Sequence, residues 1–346
     1  MRTATVAAIL ALTVIFPVAV LTQSPETDTI GWIPELKLVS PITLPGSFVS
    51  SQVIYADAER IFAGSYQGDL FVMERDRSAN FPVVQVLHFA AGVTAIHGDE
   101  DWLYVATRDG NMHQFSKTWP IQSTVSMLIA RHGVSAVRAS GNKVYVAKGQ
   151  SAMTAAGDRL FISELNPGDG GLVVPDMRSF GDTFERNTTI VYDRASLEVV
   201  GRIPNPGFGL VNVAASRNFV FLTDYGWGIH VYDATNLNKV QFLERSTNTV
   251  AAARRRGMSF LVGGSEGGTV DLYALGSSRY ELVGTAYLPE LTGFQQPEDI
   301  EIRGLWFDGH DNLIFAGSSW GNNRTRRPEL PSFFVLEIDR RLPPTE

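Results

Sequence analysis

Cysteine is missing from all 346 residues. That one absence excludes disulfide stapling, thiolate catalysis, zinc–thiolate sites and iron–sulfur clusters together. A basic excess is missing too: 29 Lys and Arg stand against 36 Asp and Glu, a formal net charge of −7. Binding to a phosphate backbone needs a basic face, so no nucleic-acid partner is expected. The chain also lacks a haem-attachment motif, a phosphate-binding loop and a nucleophile elbow. "NPGDGG" (Asn166–Gly171) is rich in turn formers but does not have the acid spacing of a calcium loop. No cofactor is expected. Turn formers and apolar residues are plentiful, with 32 Gly, 17 Pro and 44% hydrophobic residues, as in a folded domain rather than a low-complexity tract. The length allows two domains or one large all-β domain, and a core of that size needs no disulfides even outside the cell.

One long apolar run stands apart. "TATVAAILALTVIFPVAVLT" (Thr3–Thr22) carries no charge, follows Arg2 and precedes Glu26 and Asp28. It is long enough to span a bilayer as a helix, and the charge asymmetry puts the folded part on the exported side. A cleavable signal peptide is the rival reading; its apolar region is shorter and ends at an Ala-x-Ala-like site. The length of this run and the absence of such a site favour a retained anchor over residues 1–22, followed by a linker over 23–34. The expected location is the cell membrane, single-pass, with the folded domain periplasmic or extracellular; a secreted or periplasmic protein is the alternative.

The rest of the chain repeats itself. Units begin at Ile54, Ala95, Ala136, Val213, Ala251 and Gly304. Each has a small-residue strand, a polar turn, a stronger aromatic or β-branched strand, and in most cases a Gly-containing turn and a third strand. First strands such as "VTAI" (Val93–Ile96), "VSAV" (Val134–Val137) and "VAAA" (Val250–Ala253) suit crowding about an axis. Four strands in each forty-residue unit, repeated radially, predict an all-β, six-bladed β-propeller over residues 35–346, preceded by the one N-terminal hydrophobic helix. The sixth unit stops after "FFVLEID" (Phe333–Asp339), so "ELKLVSPITL" (Glu35–Leu44) is expected to supply its fourth strand and close the ring.

"GIHVYDATNLNKV" and "TIVYDRASLEVVGRI" (Thr189–Ile203) share an apolar strand ending in Asp, a short polar turn and a second apolar strand. Asp193, Ser196 and Leu197, with Asp233, Asn236 and Leu237, carry this pattern. It resembles the exported propeller repeats known as LVIVD and YVTN repeats. The resemblance implies an architecture, covers two units out of six, and carries no catalytic residue across. The second and fifth units depart from it, ending "MHQFSKT" and "DLYALGS" without the Asp.

Two steps are long, with insertions at 149–187 and 318–331, both between a second and a third strand. The first holds six acids and three Arg, the second three Arg and one Glu. Second-to-third turns share a face with the connections between blades, here called the upper face. Long loops of this kind are functional or disordered, so a partner-binding rim is expected there. Its candidates are Phe180, Phe184, Trp227 and Trp320, with Arg324, Arg326 and Arg327; the blander reading packs each within its own blade. "ARRRG" (Ala253–Gly257) is a first-to-second turn on the lower face, where Arg254, Arg255 and Arg256 would meet a membrane surface or acidic partner if they are more than a solvated turn.

Catalytic signals are weak. His88, His97, His113, His132, His230 and His310 fall on different units without ligand spacing, although His97 and Arg138 occupy comparable positions at the ends of first strands. Glu298, Asp299 and Glu301 in "QQPEDIEIRG" form the only acidic cluster near the axis, a weak metal candidate against the default of an exposed connection. The expectation is therefore a non-catalytic, membrane-tethered propeller that binds protein subunits of a membrane complex, energy-transducing or photosynthetic in its most specific form. The competing classes are a metal-dependent, lactonase-like hydrolase and a small-ligand sensor or carrier.

Overall fold

The computed structural model describes residues 33–45, 53–128, 134–140, 143–148, 151–164, 171–173, 188–204, 212–224, 227–255, 257–293, 300–307, 309–320 and 331–341. The hydrophobic run at 3–22 lies outside them. Among the described residues no helix is long and apolar enough to cross a membrane.

The chain starts with β1 (Ile33–Ile42), whose partner comes last. Blade one is β2 (Ile54–Ala56), β3 (Arg60–Gly64), β4 (Asp69–Glu74) and β5 (Val83–His88). Blade two is β6 (Val93–Gly98), β7 (Trp102–Thr107), β8 (Asn111–Ser116) and β9 (Gln122–Leu128). Blade three begins with β10 (Val134–Ser140) and β11 (Lys143–Lys148). Blade four begins at once with β12 (Ser151–Ala156) and β13 (Arg159–Glu164). The short β14 (Gly171–Val173) then returns to pair with β11, while β15 (Thr188–Asp193) and β16 (Val199–Pro204) complete blade four. Blade five is β17 (Val213–Ala215), β18 (Phe219–Asp224), β19 (Gly228–Asp233) and β20 (Lys239–Leu243). Blade six is β21 (Thr249–Arg255), β22 (Met258–Gly264), β23 (Thr269–Leu275) and β24 (Tyr280–Tyr287), followed by the short α1 (Leu288–Thr292). Blade seven is β25 (Ile300–Trp306), β26 (Leu313–Trp320), β27 (Phe333–Arg341) and β1.

All pairings within the blades are antiparallel, and the inner strands close a ring. β2 lies beside β6, β6 beside β10, β10 beside β12, β12 beside β17, β17 beside β21, β21 beside β25, and β25 beside β2. The described residues thus form seven sheets, where the repeat spacing predicts six units. The extra sheet comes from the segment expected to be an insertion at 149–187. Only residues 149–150 separate β11 from β12, so blades three and four start within one apparent period. Blade three then takes its outer strand, β14, from the connection between β13 and β15. The remaining long connections, 165–187 and 321–330, belong to blades four and seven. The expected closing strand is present: β1 pairs with β27 from Ile33↔Arg341 to Ile42↔Phe333, with Lys37 bonded to Asp339.

Packing explains the residue pattern. Second-strand residues Phe62, Phe161, Phe221 and Phe315 are fully buried between blades, each contributing about 2–3 kcal/mol of apolar transfer. Second strands approach the inner strand of the next blade so closely that some positions exclude any side chain. A Cβ on Gly64 would stand 2.3 Å from Val93 of blade two, and one on Gly317 would stand 2.7 Å from Ile54 across the closure from blade seven to blade one. Between third and fourth strands the register slips at one place in five blades, at Val72/Met73, Gln114/Phe115, Val191/Tyr192, Val231/Tyr232 and Leu272/Tyr273. A bulge there bends the outer strand and adds twist.

The Asp-ended hairpins work as their sequence suggests. Asp233 Oδ1 accepts the N–H groups of Thr235 and Asn236 at 2.7 and 2.9 Å. Asp193 Oδ1 accepts those of Ala195 and Ser196 at 2.9 and 2.8 Å. Each turn ends in a leucine in the left-handed region, Leu197 at φ 61° and Leu237 at φ 63°. Packing holds that conformation: Leu237 reaches Gly201 on the preceding blade, where a Cβ would come within 2.3 Å of its Cδ1.

Candidate functional site in the axial cavity

The seven inner strands surround a cavity of about 970 Å³ that opens on the lower face, among the first-to-second turns. Its character is set by one residue on each strand. Tyr55, His97, Arg138, Thr154, Ala214 and Trp306 sit cross-strand from the second-strand aromatics Phe62, Tyr104, Tyr145, Phe161, Phe221 and Phe315. Blade six places Ala253 opposite Phe260. Large groups therefore occupy the arc of blades seven, one, two and three, and small groups the arc of four, five and six. Val213, Ala214, Val250 and Ala251 line the small side of the cavity.

The large arc is tightly organised. Tyr55 packs against His97 at 5.4 Å and Trp306 at 4.9 Å between ring centres, and His97 against Trp306 at 5.9 Å. Trp306 Nε1 donates to the Ala56 carbonyl at 3.0 Å. His97 is buried, and its Nδ1 accepts the Ala139 N–H at 3.1 Å. That bond puts the proton of the neutral ring on Nε2. Burial, reinforced by the positive charges of Arg138 and Lys117, holds His97 well below the usual histidine range. Burial likewise pushes the Tyr55 hydroxyl up, against the opposing pull of Lys117.

Lys117 connects the arc to the rim. Its Nζ lies 2.8 Å from Asp57 Oδ2 and donates to the Tyr55 hydroxyl at 3.1 Å and to the Asp99 carbonyl at 2.5 Å. Burial pushes Asp57 up, but Lys117 and the N–H groups of Arg60 and Glu59 more than offset it, so its pKa falls below the ordinary aspartate value. Asp99 is also engaged, accepting from the N–H groups of Asp101 and Trp102 and from the Tyr104 hydroxyl. Arg138 differs from the other charged groups here: no described side chain or carbonyl accepts from it. Burial lowers its pKa to about 10, with Tyr55 opposing and Arg194 adding to the shift. It remains a cation at neutral pH.

The structure distributes the sequence candidates widely. Trp227 stands on the upper-face turn between β18 and β19, 74% exposed. Trp320 ends β26 on that same face. Phe180, Phe184, Arg324, Arg326 and Arg327 lie outside the described residues. Arg254 is exposed at the lower end of blade six, with its Nε donating to the Gly257 carbonyl, and Arg255 beside it is half-buried; Arg256 lies outside the described residues. Glu301 is not part of an exposed connection: it is buried, 2.7 Å from Arg303 Nε, and accepts from Asn248 Nδ2 at 3.1 Å between blades six and seven. Glu298 and Asp299 lie outside the described residues.

Among the histidines, His88 pairs with Asp69 at 2.7 Å, His113 with Ser126 at 2.7 Å, and His230 packs on Phe242 at 4.6 Å, while His132 lies outside the described residues. Among the described residues no three His, Asp or Glu side chains come together as a metal-binding group. The cavity groups that the sequence did not single out are Tyr55, Lys117 and Trp306. The available signal was positional, since each axial residue precedes a second-strand aromatic by seven to nine positions across one turn.

No family model matches the sequence, and no curated protein does. Solved structures do match, at the level of the fold. The WD40 β-propeller domain of Doa1 superposes with a TM-score of 0.58 at 10% identity, covering 87% of this chain and 96% of that one. A chain of the mitotic checkpoint complex gives 0.61 at 10% identity, covering 95% and 98%. The computationally designed Ika8 protein gives 0.55 at 12% identity, covering 86% and 99%. Closed ring and structural neighbours agree on one conclusion: the chain is a β-propeller.

Proposed function

We propose that this propeller is a non-catalytic protein-binding scaffold, exported and tethered to the membrane by its N-terminal run, and that it acts as an extrinsic subunit of a membrane complex. The observation that carries this reading is Trp227: a bulky aromatic held 74% exposed on the face from which the long connections of blades four and seven also emerge. Aromatics of this kind dominate interface energy once they are covered. In this reading Trp320, at the end of β26, and Phe180, Phe184, Arg324, Arg326 and Arg327, which lie outside the described residues, are further partner contacts. Arg254 and Arg255 lie at the opposite, lower end of blade six, and in this reading they and Arg256 would meet anionic head groups. The hydrolase alternative would need carboxylates gathered at the axis. The described axial layer instead presents aromatic, imidazole, guanidinium and small side chains, and the nearby Asp57 and Asp99 are already engaged.

The test uses the full chain in its native membranes. Extraction in mild detergent is expected to leave it in a larger assembly, and deletion of residues 3–22 to release it from the membrane. Trp227→Ala should weaken that assembly by about tenfold or more without changing the fold. A chain that extracts as a free monomer, or an assembly indifferent to Trp227→Ala and to deletion of residues 321–330, would remove the scaffold reading.

A further inference from the structure

We propose that the axial cavity binds a small amphiphilic carboxylate, with its charge held by Arg138 and its apolar body against the alanine-lined arc of blades five and six. This site is independent of the upper-face scaffold and belongs to the opposite end of the axis.

Three features of the cavity select this ligand. Arg138 presents a planar fork of donors suited to a carboxylate, and no described group occupies it. The other Lys and Arg side chains that line the cavity are already engaged: Lys117 with Asp57 and the Tyr55 hydroxyl, and Arg60 with the Lys117 carbonyl at 3.1 Å. Beside Arg138, the neutral His97 keeps its Nε2–H as a second donor, because Nδ1 is taken by Ala139. Across the cavity the arc is lined mainly by small apolar side chains, Val213, Ala214, Val250 and Ala251, with Thr154 and Asn212 among them.

The cavity volume of about 970 Å³ lies within the range of small-molecule sites. The mouth sets the charge of the ligand. Glu59, Glu100 and Asp101 line it along with Asp57 and Asp99, and they would repel a phosphate dianion or a polyanion more than a single carboxylate. A monoanion with a hydrocarbon or aromatic body pairs with the Arg138 guanidinium and fills the small-residue arc.

Purified full chain would be titrated calorimetrically with butyrate, octanoate and phenylacetate, with octanamide as the neutral match and inorganic phosphate as the free anion. Octanoate or phenylacetate should bind saturably, octanamide and phosphate at least about tenfold more weakly. Arg138→Gln should cost about thirtyfold in carboxylate affinity, with Arg138→Lys intermediate. Equal binding of octanoate and octanamide, stronger binding of phosphate, or an affinity unchanged by Arg138→Gln would each overturn the proposal. So would the failure of every carboxylate to saturate. If Arg138→Gln does not fold, the methyl carbon resonance of Met153, which lines the cavity, decides the matter in the unaltered protein. A shift that saturates with octanoate and not with octanamide supports the site, and equal or absent shifts refute it.

Discussion

The Lys117–Asp57 pair shows how single residues hold the lower face together. Their side chains keep only 12% and 24% of their accessible surface, and a separation of 2.8 Å joins the third-to-fourth turn of blade two to the first-to-second turn of blade one. Asp57 has its folded pKa depressed, so its contribution to stability is complete above the unfolded value of about 3.9 and disappears as pH falls through the lower folded value. Burial lowers Lys117, but its bonds to Asp57 and Tyr55 outweigh that and leave its pKa raised. Its contribution is therefore complete below the unfolded value of about 10.4 and is lost as pH rises through the folded one. Asp57→Asn should thus destabilise the protein at pH 7, by about 2 kcal/mol, and the difference from the parent should shrink progressively as pH falls below the unfolded value of about 3.9. Denaturant titrations of the two proteins from pH 7 down through the acid range check this; a difference that shows no decline with falling pH would mean that the pair contributes through packing alone.

At the scale of elements, blades are joined by repeated side-chain-to-backbone staples. Arg60 Nη1 donates to the Lys117 carbonyl at 3.1 Å, Arg159 Nη1 to the Ala234 carbonyl at 2.7 Å, and the Tyr145 hydroxyl to the Arg194 carbonyl at 3.1 Å. In each case the second strand of one blade reaches the outer turn of the next. Two glutamines on fourth strands do more, satisfying both backbone groups of one residue. Gln85 donates to the Ile121 carbonyl and accepts its N–H at 2.9 and 3.1 Å, and Gln241 does the same for Tyr280 at 2.8 and 2.9 Å. Gln241→Leu leaves the N–H and C=O of the buried Tyr280 without this partner, so a loss of about 1–3 kcal/mol is expected. Gln241→Glu, which keeps the acceptor and loses the donor, should fall between. Thermal unfolding of the two variants orders them; if Gln241→Glu is no better than Gln241→Leu, the N–H bond contributes nothing. These staples could not be read from the chain, because a lone Gln on an exposed strand looks like any solvated residue. The hairpins could be read, since Asp193 and Asp233 act through neighbours two and three residues away. Blade four was hidden for a different reason. "SAMTAA" has the small residues of an inner strand, but it follows β11 without the usual outer hairpin, so periodicity assigns both blades to one unit. The axial site was visible only as two comparable positions, His97 and Arg138; their relation to Tyr55 and Trp306 appears only when strands far apart in sequence meet at the axis.

For the whole molecule, closure is the decisive property, because an open ring would expose the edge of β27 and one face of blade seven. β1 prevents this over a register from Ile33 to Ile42, with one bulge between Leu38 and Ser40. It does more than cap an edge. Leu36 is buried in the cluster shared by blades six and seven, and Ile42 in the one shared by blades seven and one. The carbonyl of Ile42 accepts from the Ser332 N–H at 2.7 Å, and Ser332 Oγ exchanges bonds with both backbone groups of Leu44. One strand from the start of the propeller therefore ties its last blade to both neighbours. Burial of Leu36 and Ile42, with the half-buried Leu38 and Val39, corresponds to roughly 4–6 kcal/mol of apolar transfer. A chain beginning at residue 45 should lose about that much stability, and the exposed β27 should make it associate. A chain beginning at residue 32 should match the folded stability of the intact protein. Urea midpoints read the first effect and light scattering the second. An unchanged midpoint after removal of β1 would show that the ring stays shut with blade seven reduced to three strands and without the latch.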